Sequence, residues 1–291
     1  DMIYRIDSWA LAKNSLRWIS DVSLGSLKPN KKALALLDSS PLYELLNKRL
    51  HPQLIQRQVA RGNLHSYSCQ AFDYNSGKLT TFLQTSPHFK AWNLAKREAK
   101  LIDVTNRHIY ASCSIPLVFP PVLIDGHHLA DGALRNSAPL SPVIRAGAQK
   151  MLIIGVEKGS TISPNFTPSL ASVISAMLQS LFFDSLDSDI ERLSYINKTI
   201  QSTQTNNSQF RVLEYLYIKP SEEITDIAEK YIRNFPRGVR FLMEGLGSRR
   251  DIAELSSYLL FWPTYLQDLI ALGREDAAKK IDEIQGLLLT Q

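Results

Sequence analysis

The sequence is poor in cysteine and has no long apolar run. Cys69 and Cys113 are its only two thiols in 291 residues, which argues against a disulfide framework and fits a reducing compartment. Its longest apolar stretches fall well short of the roughly 20 residues that a membrane-spanning helix needs. Because no secretory signal is visible either, we expect a cytoplasmic protein, with peripheral membrane association and a signal peptide upstream of Asp1 as the alternatives.

Positive charge is concentrated in the N-terminal third of the chain. Residues 1–110 carry 16 Lys and Arg against 8 Asp and Glu, whereas the remainder carries 17 against 20, which together give the net charge of +5. This excess favours contact with anionic lipid head groups, unless it is ordinary solvated surface. No basic run is interleaved with aromatic residues, and no zinc or helix-turn-helix spacing appears, so we expect no nucleic-acid partner.

The sequence also lacks the glycine motifs of several enzyme classes. A nucleophile elbow requires a serine between small residues, as in Gly-x-Ser-x-Gly. The single pair of glycines four residues apart, Gly155 and Gly159, has Glu157 between them. Gly245 and Gly247 precede Ser-Arg-Arg, which matches neither a dinucleotide fingerprint nor a P-loop.

Residue periodicity predicts a mixture of helices and strands. Apolar spacing indicates helices over residues 8–21, 42–50, 52–61, 103–114 and 169–203, and further helices beyond residue 221. Alternating residues indicate a hairpin, with strands at 64–74 and 78–84 around a turn at Asn75–Gly77, and later strands at 122–124, 151–156 and 211–218. Near the C-terminus, Ser248 is a predicted helix cap and Pro263 a predicted kink or break.

The most informative segment runs from His128 to Leu140 and contains Asp131-Gly132-Ala133. A carboxylate on a glycine turn between apolar segments is well placed to do chemistry, and glycine permits close backbone approach or an unusual φ. Asp-Gly is nevertheless a common turn, as Asp125-Gly126 shows. The dipeptide alone therefore leaves a purely structural turn as the alternative.

The wider pattern around Asp131 resembles the patatin-like lipid acyl hydrolases. Asp131-Gly132-Ala133 is followed by Asn136, by Pro139-Leu140 and by Gly147-Ala148 before an apolar strand, which is similar to the aspartate motif of that family. Ala111–Pro121 is similar to its Ala-Ser-x-Ala-Ile-Pro-x-x-Phe-Pro-Pro segment, with serine at position 114 where alanine is usual. Weaker similarities are Leu37–Leu42, the 75–78 turn and a tail, Leu255–Ala277, that resembles bacterial members.

This resemblance implies the chemistry of a Ser-Asp dyad. Asp131 would be the base that activates a serine, Gly132 and Ala133 would shape its turn, and an acyl-enzyme would then be hydrolysed by water. The expected substrates are phospholipids or related acyl esters, and no metal or organic cofactor is expected. In the family the serine elbow lies N-terminal to the matching region. We therefore expect that this chain carries the Asp half only and is inactive alone.

The resemblance also implies the architecture. It predicts an α/β fold with a mixed, mostly parallel sheet flanked by helices over residues 1–220, and a helical extension over 221–291. The alternative function is a nucleophile-less lipid-binding or interaction module on the same fold. A third hypothesis is an unrelated hydrolase that uses local serines such as Ser112 or Ser114, which lie on no glycine-flanked elbow.

Three other features have competing interpretations. Arg135 is either a contact for a lipid phosphate or a solvated arginine. His127 and His128, near Asp125, are turn histidines unless further ligands complete a metal site, and no second pair at zinc spacing follows. The aromatic stretch Tyr258–Leu266 is either a membrane-surface contact or part of a packed terminal helix.

Overall fold

The computed structural model describes residues 37–85, 89–158, 169–182, 184–203, 211–235 and 247–289, and in addition residues 3, 35, 240, 244 and 245. The helix predicted at 8–21 lies outside the described residues. The chain divides into two compact units, the first ending at Asn136 and the second beginning at Ser137. The predicted domain boundary near residue 220 stays a prediction.

The first unit is built around a five-stranded sheet in the order β3-β2-β1-β5-β4. The strands are β1 (Ser66–Asp73), β2 (Lys78–Thr85), β3 (Arg97–Leu101), β4 (Val122–Ile124) and β5 (His127–Asp131). Its α-helices are α1 (Ser40–Arg49), α2 (Pro52–Ala60) and α3 (Asn106–Ser112), and the 3-10 helix Gly132–Arg135 follows β5. Strand β1 pairs with β2 on one side and with β5 on the other, both antiparallel.

Two tight turns fix the strand directions in this sheet. The predicted hairpin is confirmed, with Gly77 at φ +68° closing the turn between β1 and β2. The two-residue turn between β4 and β5 consists of Asp125 (φ +50°) and Gly126 (φ +81°). Positive φ at both turn residues is the type I′ geometry that suits the twist of antiparallel strands.

The core of the first unit lies between the sheet and helix α3. Buried side chains from β1, β2, β4, β5, the helix and the segment before it form this core: Ala71, Phe82, Val104, Ala111, Val122, Ile124 and Leu129. Helix α3 packs on β1, β4 and β5. This packing places the loop after α3 beside the end of β5.

The second unit contains a parallel pair of strands and a larger set of helices. Strands β6 (Lys150–Ile154) and β7 (Glu214–Ile218) pair in parallel. The α-helices are α4 (Ser141–Arg145), α5 (Leu170–Phe182), α6 (Asp184–Thr203), α7 (Ile224–Tyr231), α8 (Arg249–Ser257), α9 (Pro263–Lys279) and α10 (Ile281–Leu289), and a 3-10 helix spans Ile232–Asn234.

The local signals predicted near the C-terminus are present. Ser248 and Asp251 form a reciprocal capping box at the start of α8. Pro263 occupies the first turn of α9, so the chain breaks between α8 and α9 instead of continuing as one helix. Among the described residues, no helix combines the length and the apolar character that a bilayer crossing requires.

The α/β class with a mixed sheet flanked by helices is confirmed. The predicted excess of parallel strands is not seen in the part of the chain that the structure describes, where β1–β2, β1–β5 and β4–β5 are antiparallel and β2–β3 and β6–β7 are parallel. Two of the three antiparallel pairs, β1–β2 and β4–β5, follow from tight turns, because a two- to four-residue connection can join only antiparallel neighbours.

Candidate active site

Asp131 is the last residue of β5 and the N-cap of the following 3-10 helix. Its backbone N–H donates to the Ser114 carbonyl oxygen at 2.9 Å, and its Oδ1 accepts a hydrogen bond from the Ala133 N–H, also at 2.9 Å. Within the described residues, no donor reaches the second carboxylate oxygen, Oδ2. One oxygen is thus used to orient the carboxylate, and the other remains available to a reacting group.

Glycine is required at position 132 because a side chain would have no room there, and not because of an unusual backbone angle. A Cβ at this position would stand 2.8 Å from the backbone oxygen of Gln70 and 3.0 Å from the Gln70 Cβ, while φ lies outside the left-handed region. Since β1 is an interior strand of the sheet, its backbone has little freedom to give way. The sequence suggested either close backbone approach or an unusual φ at this glycine, and the structure shows close approach to the backbone of β1.

A side-chain contact that the sequence did not predict ties this turn to the sheet. Asn136 Nδ2 donates to Gln70 Oε1 at 2.7 Å, and Gln70 Nε2 donates to Thr81 Oγ1 at 3.3 Å. Gln70 therefore links β2 to the segment just after Asp131. No local pattern could have indicated it, because Gln70 and Asn136 are 66 residues apart and nothing in a single sequence pairs them.

The surroundings of Asp131 make its carboxylate unusually basic. Burial raises the pKa of Asp131 to about 6, against the opposing effect of the hydrogen bond from the Ala133 N–H. Arg135, at the other end of the 3-10 helix, forms no ion pair with Asp131 in the described structure. A carboxylate with a pKa near 6 is largely ionised at neutral pH and is a stronger base than an ordinary aspartate.

Asp73 shows what a structural carboxylate looks like in the same unit. It is 1% exposed, and its oxygens accept from Ser76 Oγ at 2.6 Å, from the Asn75 N–H at 2.9 Å and from His127 Nδ1 at 2.9 Å. Burial alone would raise the pKa of Asp73, but these donors outweigh it and lower the pKa. Both carboxylate oxygens of Asp73 accept hydrogen bonds within or next to the hairpin, whereas Asp131 uses only Oδ1 among the described residues.

The two aspartates should respond in opposite ways to replacement by asparagine. The folded-state pKa of Asp131 lies above its unfolded value, so its ionisation costs stability as pH rises from about 4 to about 6. We expect Asp131→Asn to leave the free energy of unfolding at pH 7.5 unchanged or to raise it by up to about 2 kcal/mol. Asp73→Asn should lower it by about 1–3 kcal/mol, because a buried network loses its charge.

Urea denaturation of both variants at pH 5 and pH 7.5 measures these changes. Any gain from Asp131→Asn should be larger at pH 7.5, where the native carboxylate is ionised, than at pH 5. Equal destabilisation by the two substitutions would show that Asp131 is also a structural carboxylate.

The histidines near Asp131 have structural contacts. His127 Nδ1 bonds Asp73, and the His128 backbone N–H donates to Asn75 Oδ1 at 2.8 Å, so both brace the β1–β2 turn. Within the described residues, no group of three or more His, Cys, Asp or Glu side chains is arranged to hold a metal ion. The interpretation of these residues as turn histidines agrees with their contacts.

Ser114 is unsuited to the role of a local nucleophile. Its side chain is fully buried, and its Oγ donates to the Tyr110 carbonyl oxygen at 2.8 Å. That bond closes the last turn of α3, and the Ser114 carbonyl in turn accepts from the Asp131 N–H. Ser114 thus helps to position Asp131 through its backbone.

The aromatic stretch at 258–266 packs inside the second unit. Leu260 and Tyr265 are each 1% exposed, and Trp262 stacks edge-on against Phe235 with ring centroids 4.7 Å apart. These contacts favour the packed-helix interpretation of the sequence over a membrane-surface contact.

Comparison with known proteins identifies the region that contains Asp131. Residues 4–144 match the family model described as patatin-like phospholipase. This match agrees with the family resemblance that the motifs around Asp131 predict. No curated protein is similar enough to count as a match.

Proposed function

We propose that this protein is a serine-dependent lipid acyl hydrolase in which Asp131 is the general base, and that this chain contributes the carboxylate half of the dyad. The observation that carries the proposal is a partly buried carboxylate, at the end of a sheet strand, with a pKa of about 6 and one oxygen free among the described residues. The match of residues 4–144 to the patatin-like phospholipase family model supports lipid esters as the substrate class.

The proposed reaction shuttles one proton through Asp131. Asp131 Oδ2 takes the proton of the serine hydroxyl as its oxygen attacks the acyl carbonyl, and returns that proton to the departing alcohol when the ester bond breaks. Water then gives a proton to Asp131 as its oxygen attacks the acyl carbonyl of the acyl-enzyme. Asp131 returns that proton to the serine oxygen when the fatty acid is released. This chemistry uses side chains alone and calls for neither a metal nor an organic cofactor.

Access to lipid is the second part of the proposal. A phospholipid substrate presents its ester bond at a membrane surface, and the 16 basic against 8 acidic residues of the first 110 would favour an anionic surface. We therefore propose peripheral contact with an anionic membrane surface, and we propose a cytoplasmic location for the protein. Arg135, close in sequence to Asp131 and partly exposed, is the proposed contact for a lipid phosphate.

The alternative is a lipid-binding or interaction module without catalysis. It is favoured by one observation, the absence of any Gly-x-Ser-x-Gly motif from the 291 residues. Under this alternative the turn at Asp131 would be retained only for its packing.

Reaction with a fluorophosphonate probe tests the proposal that the dyad is incomplete in this chain. We expect residues 1–291 to show neither probe labelling nor hydrolysis of p-nitrophenyl butyrate above a heat-denatured control. Strong labelling would contradict the proposal that this chain lacks the nucleophile. Mass spectrometry of the labelled peptide, with Ser112→Ala and Ser114→Ala as controls, would then identify the serine responsible.

A further inference from the structure

The second unit contains a small cavity at the carboxyl end of strand β6. It measures about 260 Å³, and its lining includes Glu157, Glu254, Tyr258, Tyr265 and Leu269. Glu157 lies three residues beyond the end of the strand, where ligands of α/β folds commonly bind. Since pockets for drug-sized ligands start at about 300 Å³, this cavity is suited to a smaller molecule.

The cavity wall carries more negative charge than nearby cations neutralise. Glu157 forms no hydrogen bond or ion pair with any described residue. Burial raises its pKa, as do the carboxylates of Asp184, Asp187 and Glu254, against the opposing effect of Lys219. Glu254 accepts from Gln179 Nε2 at 2.6 Å, but no described cation forms a salt bridge with it.

Of the described cations near the cavity, Lys219 and Arg250 form their salt bridges with other carboxylates, although Arg250 also opposes the rise in the pKa of Glu254 that burial causes. Lys219 Nζ lies 2.8 Å from Asp187, and Arg250 lies 2.6 Å from Glu223, which is itself on the cavity wall. Lys158 also lines the cavity, but it is exposed to solvent. A bound cation would therefore find two carboxylates, Glu157 and Glu254, without a salt-bridge partner in the described structure.

Aromatic residues define which kind of cation fits. Tyr258 and Tyr265 both line the cavity, and Tyr265 is 1% exposed with an Oη that has no hydrogen-bond partner among the described residues. Aromatic faces attract organic cations, and carboxylates complete such sites. A hard metal ion would instead need about six oxygen ligands, and the described residues offer no metal-binding cluster.

We propose that this cavity binds a small organic ammonium ion, with the charged nitrogen between Glu157 and Glu254 and its carbon substituents against Tyr258 and Leu269. The ion is either a free amine or the head group of an amine-containing lipid, since both present the same chemistry. The proposal concerns the second unit alone and does not depend on the role of Asp131.

Calorimetric titration of the full chain with choline chloride tests this site. We expect saturable binding of choline and none of 3,3-dimethylbutan-1-ol, its neutral isostere. Glu157→Gln should raise the Kd for choline about tenfold or more, because it removes the carboxylate that faces the cation. Glu275→Gln, which changes an exposed glutamate of helix α9 outside the cavity lining, should leave the Kd unchanged.

A second variant guards against misfolding, and lipid vesicles distinguish a free amine from a lipid head group as the ligand. If circular dichroism shows that Glu157→Gln does not fold, Glu254→Gln is used instead, and it should also raise the Kd for choline about tenfold or more. Retention on phosphatidylcholine vesicles that free choline displaces would identify a lipid head group, whereas retention on phosphatidylglycerol vesicles should be unaffected by choline. Choline binding without vesicle retention would identify a free amine.

Three results would overturn the proposal. These are an absence of saturable choline binding, equal binding of the neutral isostere, and displacement of choline by MgCl2 at matched ionic strength.

Discussion

Replacing Asp131 by Asn is expected to lower kcat/KM for ester hydrolysis about 10²- to 10⁴-fold in a form of the protein extended to include a serine elbow. Asparagine keeps the shape of the side chain and can still accept the Ala133 hydrogen bond through Oδ1. It cannot take a proton from the serine. The loss should therefore appear mainly in kcat, with KM little changed, in an assay with a soluble short-chain ester.

Asp125→Asn is the matched control for this experiment. Asp125 also precedes a glycine, but it lies in the exposed turn between β4 and β5 at φ +50°, a conformation that asparagine tolerates well. Its replacement should leave kcat/KM unchanged. Full activity of Asp131→Asn would eliminate the dyad and favour the non-catalytic module or a different nucleophile system.

Gly132→Ala is expected to cause the largest loss of stability among single-atom changes near the site. The added Cβ would stand 2.8 Å from the Gln70 backbone oxygen, closer than real Cβ contacts come. Relief requires movement of either β1 or the turn that presents Asp131. We expect the free energy of unfolding to fall by about 2–4 kcal/mol, together with a loss of activity in the extended protein.

Gly273→Ala provides the control for the alanine itself. Gly273 lies within helix α9, and an added Cβ there meets nothing within 4 Å. Because alanine is the better helix former, this substitution should raise the free energy of unfolding by about 0.5–1 kcal/mol. An unchanged urea midpoint for Gly132→Ala would contradict the close approach of the turn to β1.

Elements governed by local sequence could be predicted well. The hairpin of β1 and β2 was indicated by alternation around Asn75–Gly77, and its observed strands agree within two residues. The capping box at Ser248 and the helix start at Pro263 likewise depend on neighbours within a few positions. The identity of Asp131 as the candidate base came from its motif and stays a prediction.

Contacts between distant parts of the chain could not be predicted. The pairing of Gln70 with Asn136 and the bond from His127 to Asp73 join residues more than 50 positions apart. The strand predicted at 151–156 was located correctly, but its burial pattern depends on the helices that pack on it. It ends at Ile154, and its residues alternate between buried Met151 and Ile153 and the exposed Leu152 and Ile154, because helices of the second unit pack on one of its faces.

A measurement of the carboxyl pKa of Asp131 tests its proposed role as a general base most directly. A carbon-13 NMR titration of residues 1–291, with the Asp131→Asn spectrum to assign the signal, measures it in the chain as it stands. We expect a midpoint of about 6. A midpoint at or below the ordinary aspartate value of about 4 would contradict the proposal, because such a carboxylate would be stabilised for structure and too weak a base for the proposed role.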